Sequence, residues 1–446
     1  MREDFVINVC DAIMGSGKSS AAITYMNEHP DEKFIYVSPY LSETKRIKDS
    51  CPKLNFVEPN DGYKHIHTNI LIKNGCNISI SHNILRDIPF DILTDIEEQG
   101  YSLIIDESLD VFSEVDEVFE DVESLIQYSE LTEKDNDLNC ELPSNIKSLL
   151  YNSKKVSRPL SRYENFFKRL ESNDIIKITS ENGKSSYSWL LTLNFLTSFK
   201  HVFILTYLFE GSLMCTNLQL SEIPYKKIGV NRTSEGYRFG EYNEYIPEYV
   251  KTIKNKIHIV NEDRLNDIGN DRNAFSMNWI ETRKEDDTKT IVNNLSYYFR
   301  YFAPCPQSDR MWGSFAGKKN NERDKGELRK KLSGGRYTKS FVIFNKRATN
   351  ELRNKRVLAY TANVFMNTGQ KQTLAKRGIV PMEQTYALST LVQWVWRSAI
   401  RDGQEITLYI PSYRMRTLFI RWLDIISTNG DVSQIEEPIP RLFGYK

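Results

Sequence analysis

The feature that most restricts this chain is a run near its start, Ala12-Ile13-Met14-Gly15-Ser16-Gly17-Lys18-Ser19. It fits the pattern AxxxxGK[ST], follows the apolar run Phe5–Cys10 and leads into Ser19–Glu28, which has helical composition. A strand, a glycine-rich loop and a helix in that order make a phosphate cradle. Glycines let backbone N–H groups turn inward around an anion, and the helix N-terminus adds its positive end. Lys18 is expected to reach the β- and γ-phosphates of a triphosphate, and the Ser19 hydroxyl to ligate Mg²⁺. Gly15, Ser16, Gly17 and Ser20 complete the expected nucleotide contacts. The pattern arises by chance in roughly 4% of chains this long, and the strand before it and helix after it lower that risk.

Such a loop needs an acidic partner to hold Mg²⁺ and orient water. Leu103-Ile104-Ile105-Asp106-Glu107 is an apolar strand run ending in two carboxylates. Asp106 is expected in the magnesium shell and Glu107 as the base that polarises the attacking water. The alternative is a solvated acidic strand end that continues into Asp110, Glu114 and Asp116.

The rest of the pattern reads as α/β. Phe34–Val37, Asn77–Ser81, Leu103–Ile105 and His201–Thr206 are short apolar runs separated by helical patterns, which predicts a parallel sheet covered on both faces. Residues 110–194 break that rhythm. Asp106–Glu141 is acidic, Lys154–Leu170 is basic and helical in pattern, and Asp174–Leu191 carries an Asn182-Gly183 turn between two β-like runs. This stretch reads as an insertion, the alternative being a long loop. Strands are then expected at Lys256–Val260, Ala274–Ile280, Ser340–Phe344 and Ile406–Ile410, and helices at Thr288–Phe302 and Thr385–Arg401. The charged stretch Lys318–Lys331 reads as a solvated helix or loop. The domain expectation is therefore a first α/β domain over residues 1–109 and 195–254 (the latter including a linker), an insertion at 110–194, and a second α/β domain over 255–446.

The net charge of zero hides an asymmetry: residues 1–200 carry a net charge near −12 and residues 201–446 near +12. The C-terminal half is thus the better candidate for holding a polyanion, the plain alternative being ordinary charge variation along a soluble chain. The six cysteines, Cys10, Cys51, Cys76, Cys140, Cys215 and Cys305, show no CxxC spacing, which argues against a zinc or iron–sulfur site and against a disulfide framework. No run of 18 or more apolar residues and no signal-peptide pattern is found, so a reduced, cytoplasmic protein with no membrane contact is expected.

Near the C-terminus, Leu388, Leu391, Val392, Val395 and Ala399 form an apolar stripe at helical spacing. On a continuous helix Gln393, Arg397 and Arg401, at i, i+4 and i+8, would share a face. Two guanidinium groups backed by an amide suit the charge that develops on a γ-phosphate in the transition state. A basic, solvated helix face is the alternative.

Taken together these motifs resemble a superfamily-2 helicase, and the C-terminal portion is similar to phage-encoded DEAD/DEAH-like helicases. Residues 12–19 and Asp106-Glu107-Ser108-Leu109 match the two nucleotide motifs. Pro39-Tyr40-Leu41-Ser42-Glu43 and Ser81-His82-Asn83-Ile84-Leu85 fall where the family contacts nucleic acid, so Pro39, Tyr40, Ser81 and His82 are implied contacts. Leu205-Thr206-Tyr207 stands where the family couples hydrolysis to its track, with Thr206 kept and Tyr207 in place of a small residue. Asn345-Lys346-Arg347-Ala348-Thr349-Asn350 resembles a loop of the second motor domain, which implies contacts from Lys346, Arg347, Thr349 and Asn350. Gln393–Arg401 resembles the last motif, with Trp396 where a glycine is usual and arginines four apart rather than three. Only 11 residues precede the phosphate loop, so the upstream adenine-reading element of DEAD-box proteins has no room.

The resemblance implies two RecA-like α/β domains with ATP and Mg²⁺ between them, and single-stranded or forked nucleic acid, DNA favoured, as partner. It implies an ATP-dependent helicase or translocase serving replication of a phage genome, with replication proteins as candidate partners. Two rivals share the nucleotide motifs: a double-stranded DNA packaging ATPase, and a nucleotide-switched origin-binding protein without processive movement.

Overall fold

The structure, a computed structural model, describes residues 4–39, 41–60, 62–114, 132–134, 139–141, 173–179, 185–242, 247–316, 322–345, 350–428 and 430–440. The chain divides into two units. The first comprises Met1–Ala12, Gly17–Glu244 and Asn367–Pro381, and the second Ile13–Ser16, Tyr245–Met366 and Met382–Lys446. The α/β expectation is met in both. Among the described residues no helix is long and apolar enough to cross a membrane.

In the first unit the strands are β1 (Ile7–Asp11), β2 (Phe34–Ser38), β3 (Ile78–Ser81), β4 (Ser102–Asp106), β5 (Phe112–Glu114), β6 (Thr132–Lys134), β7 (Asn139–Glu141), β8 (Asn173–Thr179), β9 (Ser185–Leu191), β10 (Val202–Thr206), β11 (Tyr225–Thr233) and β12 (Gly236–Gly240). Seven of them form one sheet in the order β12-β11-β1-β10-β4-β2-β3. Every pairing in it is parallel except β11 with β12. Strands β2 and β10 are buried at every position, as expected of a sheet covered on both faces. Alternation sorts the side chains. Ile7, Val9, Ile35, Val37, Leu103, Ile105, Val202 and Ile204 face one core. Cys10, Phe34, Tyr36, Ile104, Phe203 and Leu205 face the other, against Ala21, Ala22 and Met26 of helix α1 (Lys18–Glu28). The remaining helices that matter to the site are α2 (Leu41–Ser50), α3 (Lys64–Lys73), α4 (His82–Arg86), α5 (Phe90–Gln99) and α6 (Leu213–Leu220).

The interrupting segment contributes an antiparallel sheet of its own, ordered β5-β9-β8-β7-β6. The expected hairpin is its centre, β8 pairing with β9 from Asn173↔Leu191 to Thr179↔Ser185. Two buried bonds tie β9 to the parallel sheet's domain: Leu191 N–H donates to Val111 O at 2.8 Å, and Asn217 Nδ2 donates to Leu191 O at 2.6 Å. The Asn182-Gly183 turn, the basic stretch Lys154–Leu170 and most of the acidic run lie outside the described residues.

The second unit holds a four-stranded parallel sheet of β13 (Ile257–Ile259), β14 (Arg310–Gly313), β15 (Val357–Tyr360) and β16 (Ile406–Tyr409), ordered β13-β16-β15-β14. Trp312, Ala359 and Tyr409 of that sheet pack against Trp279, Ile291, Leu295, Tyr298 and Phe299. Its helices include α7 (Met277–Thr282), α8 (Glu285–Tyr297), α9 (Glu322–Ser333), α11 (Glu383–Val395) and α12 (Tyr413–Thr428), while α10 (Thr368–Lys376) groups with the first unit.

Three sequence expectations fail here. Ala274–Ile280 is not a strand: Ser276 caps α7, its Oγ accepting from Trp279 N–H, and the local cap wins over the apolar run. Ser340–Phe344 begins in a 3₁₀ turn and makes only an isolated parallel bridge, Trp312↔Phe341. The helix expected over Thr385–Arg401 ends at Val395, Ser398 is extended (φ −80°, ψ −172°), and a separate 3₁₀ turn covers Ala399–Asp402. Gln393, Arg397 and Arg401 therefore do not share one helical face.

Candidate nucleotide site

The phosphate loop leaves β1 at Asp11 and enters α1 at Lys18. Gly15 (φ +77°) and Gly17 (φ +96°) take left-handed backbone conformations, which a side chain would strain. Gly17 is the N-cap of α1 and has no side chain with which to cap it, so the first N–H groups of the helix face the loop without an acceptor from the cap residue itself. Lys18 Nζ donates to Ala12 O at 2.5 Å, bridging the two ends of the loop. Ser16 Oγ is buried and has no hydrogen-bond partner among the described residues. A concave backbone, a cation across its mouth and an unpaired buried hydroxyl fit a polyphosphate.

Strand β4 brings the acidic pair to the same carboxyl edge of the sheet. Tyr36, fully buried in β2, donates its hydroxyl to Asp106 Oδ2 at 3.1 Å. The His82 imidazole lies 2.8 Å from the Asp106 carbonyl, through Nε2. Burial pushes the Asp106 carboxyl up to about 7, with the negative charges of Glu107 and Glu43 adding to it, while the Tyr36 hydrogen bond and Lys18 pull it down. A divalent cation at that carboxylate would reverse this balance by favouring the charged form. Glu107 sits at φ +65°, a left-handed conformation rare for a residue with a side chain. Its N–H is held by Leu205 O at 2.9 Å. Such backbone strain persists only where the surroundings fix it, and it concentrates at functional sites.

Electrostatics link the two motifs. Burial lowers the pKa of Lys18, and the negative charges of Asp106, Asp11 and Glu107, with the Cys10 thiol, act against that shift. The parallel sheet thus places Lys18, Asp106 and Glu107 within each other's field. Mg²⁺ is usually held by one or two protein oxygens and by substrate phosphates, and Ser19 with Asp106 could hold it in that way.

Strand β10 lies between β1 and β4. Its last residue, Thr206, pairs in register with Asp11 and accepts at Oγ1 a hydrogen bond from Ser108 Oγ at 3.1 Å. One hydroxyl pair thereby joins the loop after the acidic motif to the end of β10.

The other sequence-derived positions separate. Ser81 caps α4, accepting from Ile84 N–H, and lines a cavity of about 120 Å³ with Thr44, Glu58, Lys64 and Ser79. His82 is buried and Pro39 half-buried. Tyr40, Lys346, Arg347 and Thr349 lie outside the described residues, and Asn350 opens a 3₁₀ turn. Gln393 is half-buried, Arg397 is buried with Nε donating to Gln393 O at 3.1 Å, and Arg401 is exposed. Three further residues were not picked out from the sequence. Tyr36 is one, legible only as a hydroxyl inside an otherwise apolar strand. Arg46 is another, its Nη2 3.4 Å from Ser20 Oγ. The third is Asp11, just before the motif, buried and receiving Phe209 N–H at 3.4 Å; burial raises its pKa to about 6, eased by Lys227.

The C-terminal part of the chain, residues 251–423, matches the family model described as the YonV C-terminal Rossmann-like domain. Across its length the chain is similar to the SPbeta prophage-derived uncharacterized protein YonV of Bacillus subtilis (strain 168), 31% identical over 434 residues that cover 94% of this chain and 98% of the relative. Among solved structures it is similar to S. tokodaii Xpd4 (13% identity, TM-score 0.48, covering 96% of this chain and 95% of that one). An XPD helicase structure shows 11% identity at a TM-score of 0.45, with 96% and 95% covered. The DUF1998 helicase MrfA bound to DNA and AMPPNP shows 12% identity at a TM-score of 0.33, with 99% of this chain and 49% of that one covered. With 31% identity to a relative that it matches almost end to end, and with that family's C-terminal domain recognised at residues 251–423, the chain belongs to the YonV family.

Proposed function

We propose that this protein is an ATP-driven motor on nucleic acid, of the superfamily-2 helicase type, acting on phage DNA. The observation that carries the proposal is the convergence of Lys18, Asp106 and Glu107 at the carboxyl edge of one parallel sheet, with Ser108 bonded to Thr206 beside them. In this reading the loop's N–H groups and Lys18 hold the β- and γ-phosphates. Ser19 and Asp106 would hold Mg²⁺, which supplies charge neutralisation at the phosphates when bound. Glu107 accepts a proton from the water that attacks the γ-phosphorus, and ADP leaves as the bond to its β-phosphate oxygen breaks. Arg397 and Arg401 remain the proposed donors to transition-state charge. Single-stranded DNA is the favoured track. Pro39, Tyr40, Ser81, His82, Lys346, Arg347, Thr349 and Asn350 are its proposed contacts.

The test is steady-state phosphate release with no nucleic acid, single-stranded DNA, duplex DNA and RNA. Stimulation by single strands supports the motor. Turnover indifferent to every nucleic acid supports the nucleotide switch instead, and stimulation by duplex alone supports a double-stranded DNA translocase. The Ser108–Thr206 bond gives a finer expectation. Ser108→Ala removes the donor that joins the acidic motif to β10, at a net cost of about 1 kcal/mol for one hydrogen bond. The single-strand-stimulated rate should fall several-fold more than the unstimulated rate. An equal fall in both would mean that the bond only braces the fold.

A further inference from the structure

The hairpin β11–β12 adds an antiparallel arm to the sheet next to β1, and β12 packs against α1. Residues directly opposite each other in an antiparallel pair lie on one face, as do alternate residues of a strand. Val230 opposite Phe239 and Arg232 opposite Tyr237 therefore share a face. The inner pair is core. Val230 is buried with Cys10, Ala21 and Ala22, and Phe239 stacks on Phe203 with ring centroids 5.1 Å apart and planes 7° from parallel. The outer pair sits one step nearer the hairpin tip, and there the face meets the phosphate loop. A Cβ placed on Gly17 would lie 2.3 Å from Cδ1 of Tyr237, so the tyrosine ring lies directly against the N-cap of α1. The Arg232 guanidinium is 5.9 Å from that ring's centroid. The ring is half-buried and packs against the core cluster that includes Ala21 and Ala22 of α1.

A nucleoside triphosphate held by its β- and γ-phosphates must lead its ribose and base out past the first turn of α1. There the sheet supplies an aromatic ring, Tyr237, against the end of the loop. The geometry points to Tyr237 as the residue on which the nucleobase rests, with Arg232 beside it on the same face. A ring face offers stacking and no directional hydrogen bond, so it holds a base without selecting one strongly. The inference rests on the loop binding a triphosphate, as proposed above, but not on movement or on nucleic acid.

Equilibrium binding separates the base from the phosphates. Wild-type protein and the variants Tyr237→Ala and Tyr237→Phe are titrated calorimetrically with ATP and with inorganic tripolyphosphate, each with Mg²⁺. Stacking of a base on an aromatic side chain is worth about 1–3 kcal/mol, so Tyr237→Ala should weaken ATP by roughly 5- to 150-fold. Tripolyphosphate, which has no base, should bind all three proteins alike, and Tyr237→Phe should bind ATP like wild type. Two results overturn the inference: unchanged ATP affinity in Tyr237→Ala, or equal losses for ATP and tripolyphosphate, which would make the ring a brace for the loop. If wild type binds neither compound, the phosphate-loop reading itself has failed, and the inference with it.

Discussion

Lys18→Ala is expected to reduce ATP hydrolysis to background, a loss of at least about a hundredfold on the scale seen when one preorganised charge or donor at a reacting group is removed. The lysine follows Gly17, whose left-handed backbone turns the chain into α1. Its ammonium reaches back across the loop to Ala12 O at 2.5 Å. That bond costs little to exchange, because the Ala12 carbonyl closes no strand or helix pairing through it, and a phosphate oxygen is a stronger, charged acceptor. Burial works against the charge of the ammonium, and the carboxylates of Asp106, Asp11 and Glu107 act in its favour. The alanine variant removes the cation and leaves those carboxylates facing an incoming polyanion, so binding of ATP should weaken as well as its hydrolysis. The side chain is half-buried at a loop rather than in either core cluster, so circular dichroism and the thermal transition should stay close to wild type. Phosphate release near the wild-type rate from a folded Lys18→Ala protein would sink the phosphate-loop assignment.

The parts of this site that were legible in the sequence are those whose chemistry is local. Ala12–Ser19 states its own geometry, because only glycine accepts the positive φ at positions 15 and 17 without strain and the charge follows at once in Lys18. Asp106 was legible because three apolar residues before it fix a buried strand, and a carboxylate at the end of such a strand needs a reason. What stayed hidden depends on contacts far apart in sequence. Asp11 reads as an ordinary strand-end acid until Phe209, almost two hundred residues on, donates to it. Tyr237 lies in a segment read as domain completion and linker, and its place beside Gly17 follows only from β11 pairing with β1. The C-terminal arginines misled for a different reason. The apolar stripe runs on through Val395 to Ala399, so periodicity alone continues the helix. The chain instead leaves it at Trp396, turns through an extended Ser398, and buries Arg397. Periodicity reports which side chains are buried and not whether the backbone between them is continuous. Ala274–Ile280 shows the same limit: Ser276 as a cap converts an apolar run into a helix start.

Glu107→Gln is expected to keep ATP binding and to lose hydrolysis by at least about a hundredfold, the usual scale for removing a positioned general base and equivalent to about 2.7 kcal/mol of barrier. The amide is nearly the size of the carboxylate and keeps one acceptor oxygen, but it cannot take a proton from water. The strained backbone at φ +65° is the same for either side chain, and the N–H bond to Leu205 O does not involve the side chain, so the fold should be indifferent to the change. Removing this charge also relieves the repulsion that helps raise the neighbouring Asp106 carboxyl. Asp106 should then ionise more readily, so magnesium and ATP binding should hold or tighten while turnover collapses. Asp106→Asn supplies the contrast. It removes the carboxylate that Tyr36 orients and should show itself first as a higher Mg²⁺ requirement, with part of the rate restored at high metal concentration. The two variants are distinguished by titrating Mg²⁺ at saturating ATP and measuring phosphate release, alongside equilibrium binding of ATP. Full activity in Glu107→Gln would assign water activation to another residue. A defect in Glu107→Gln that high Mg²⁺ repairs would mean that the glutamate holds metal, and the division of labour between the two acids would have to be reversed.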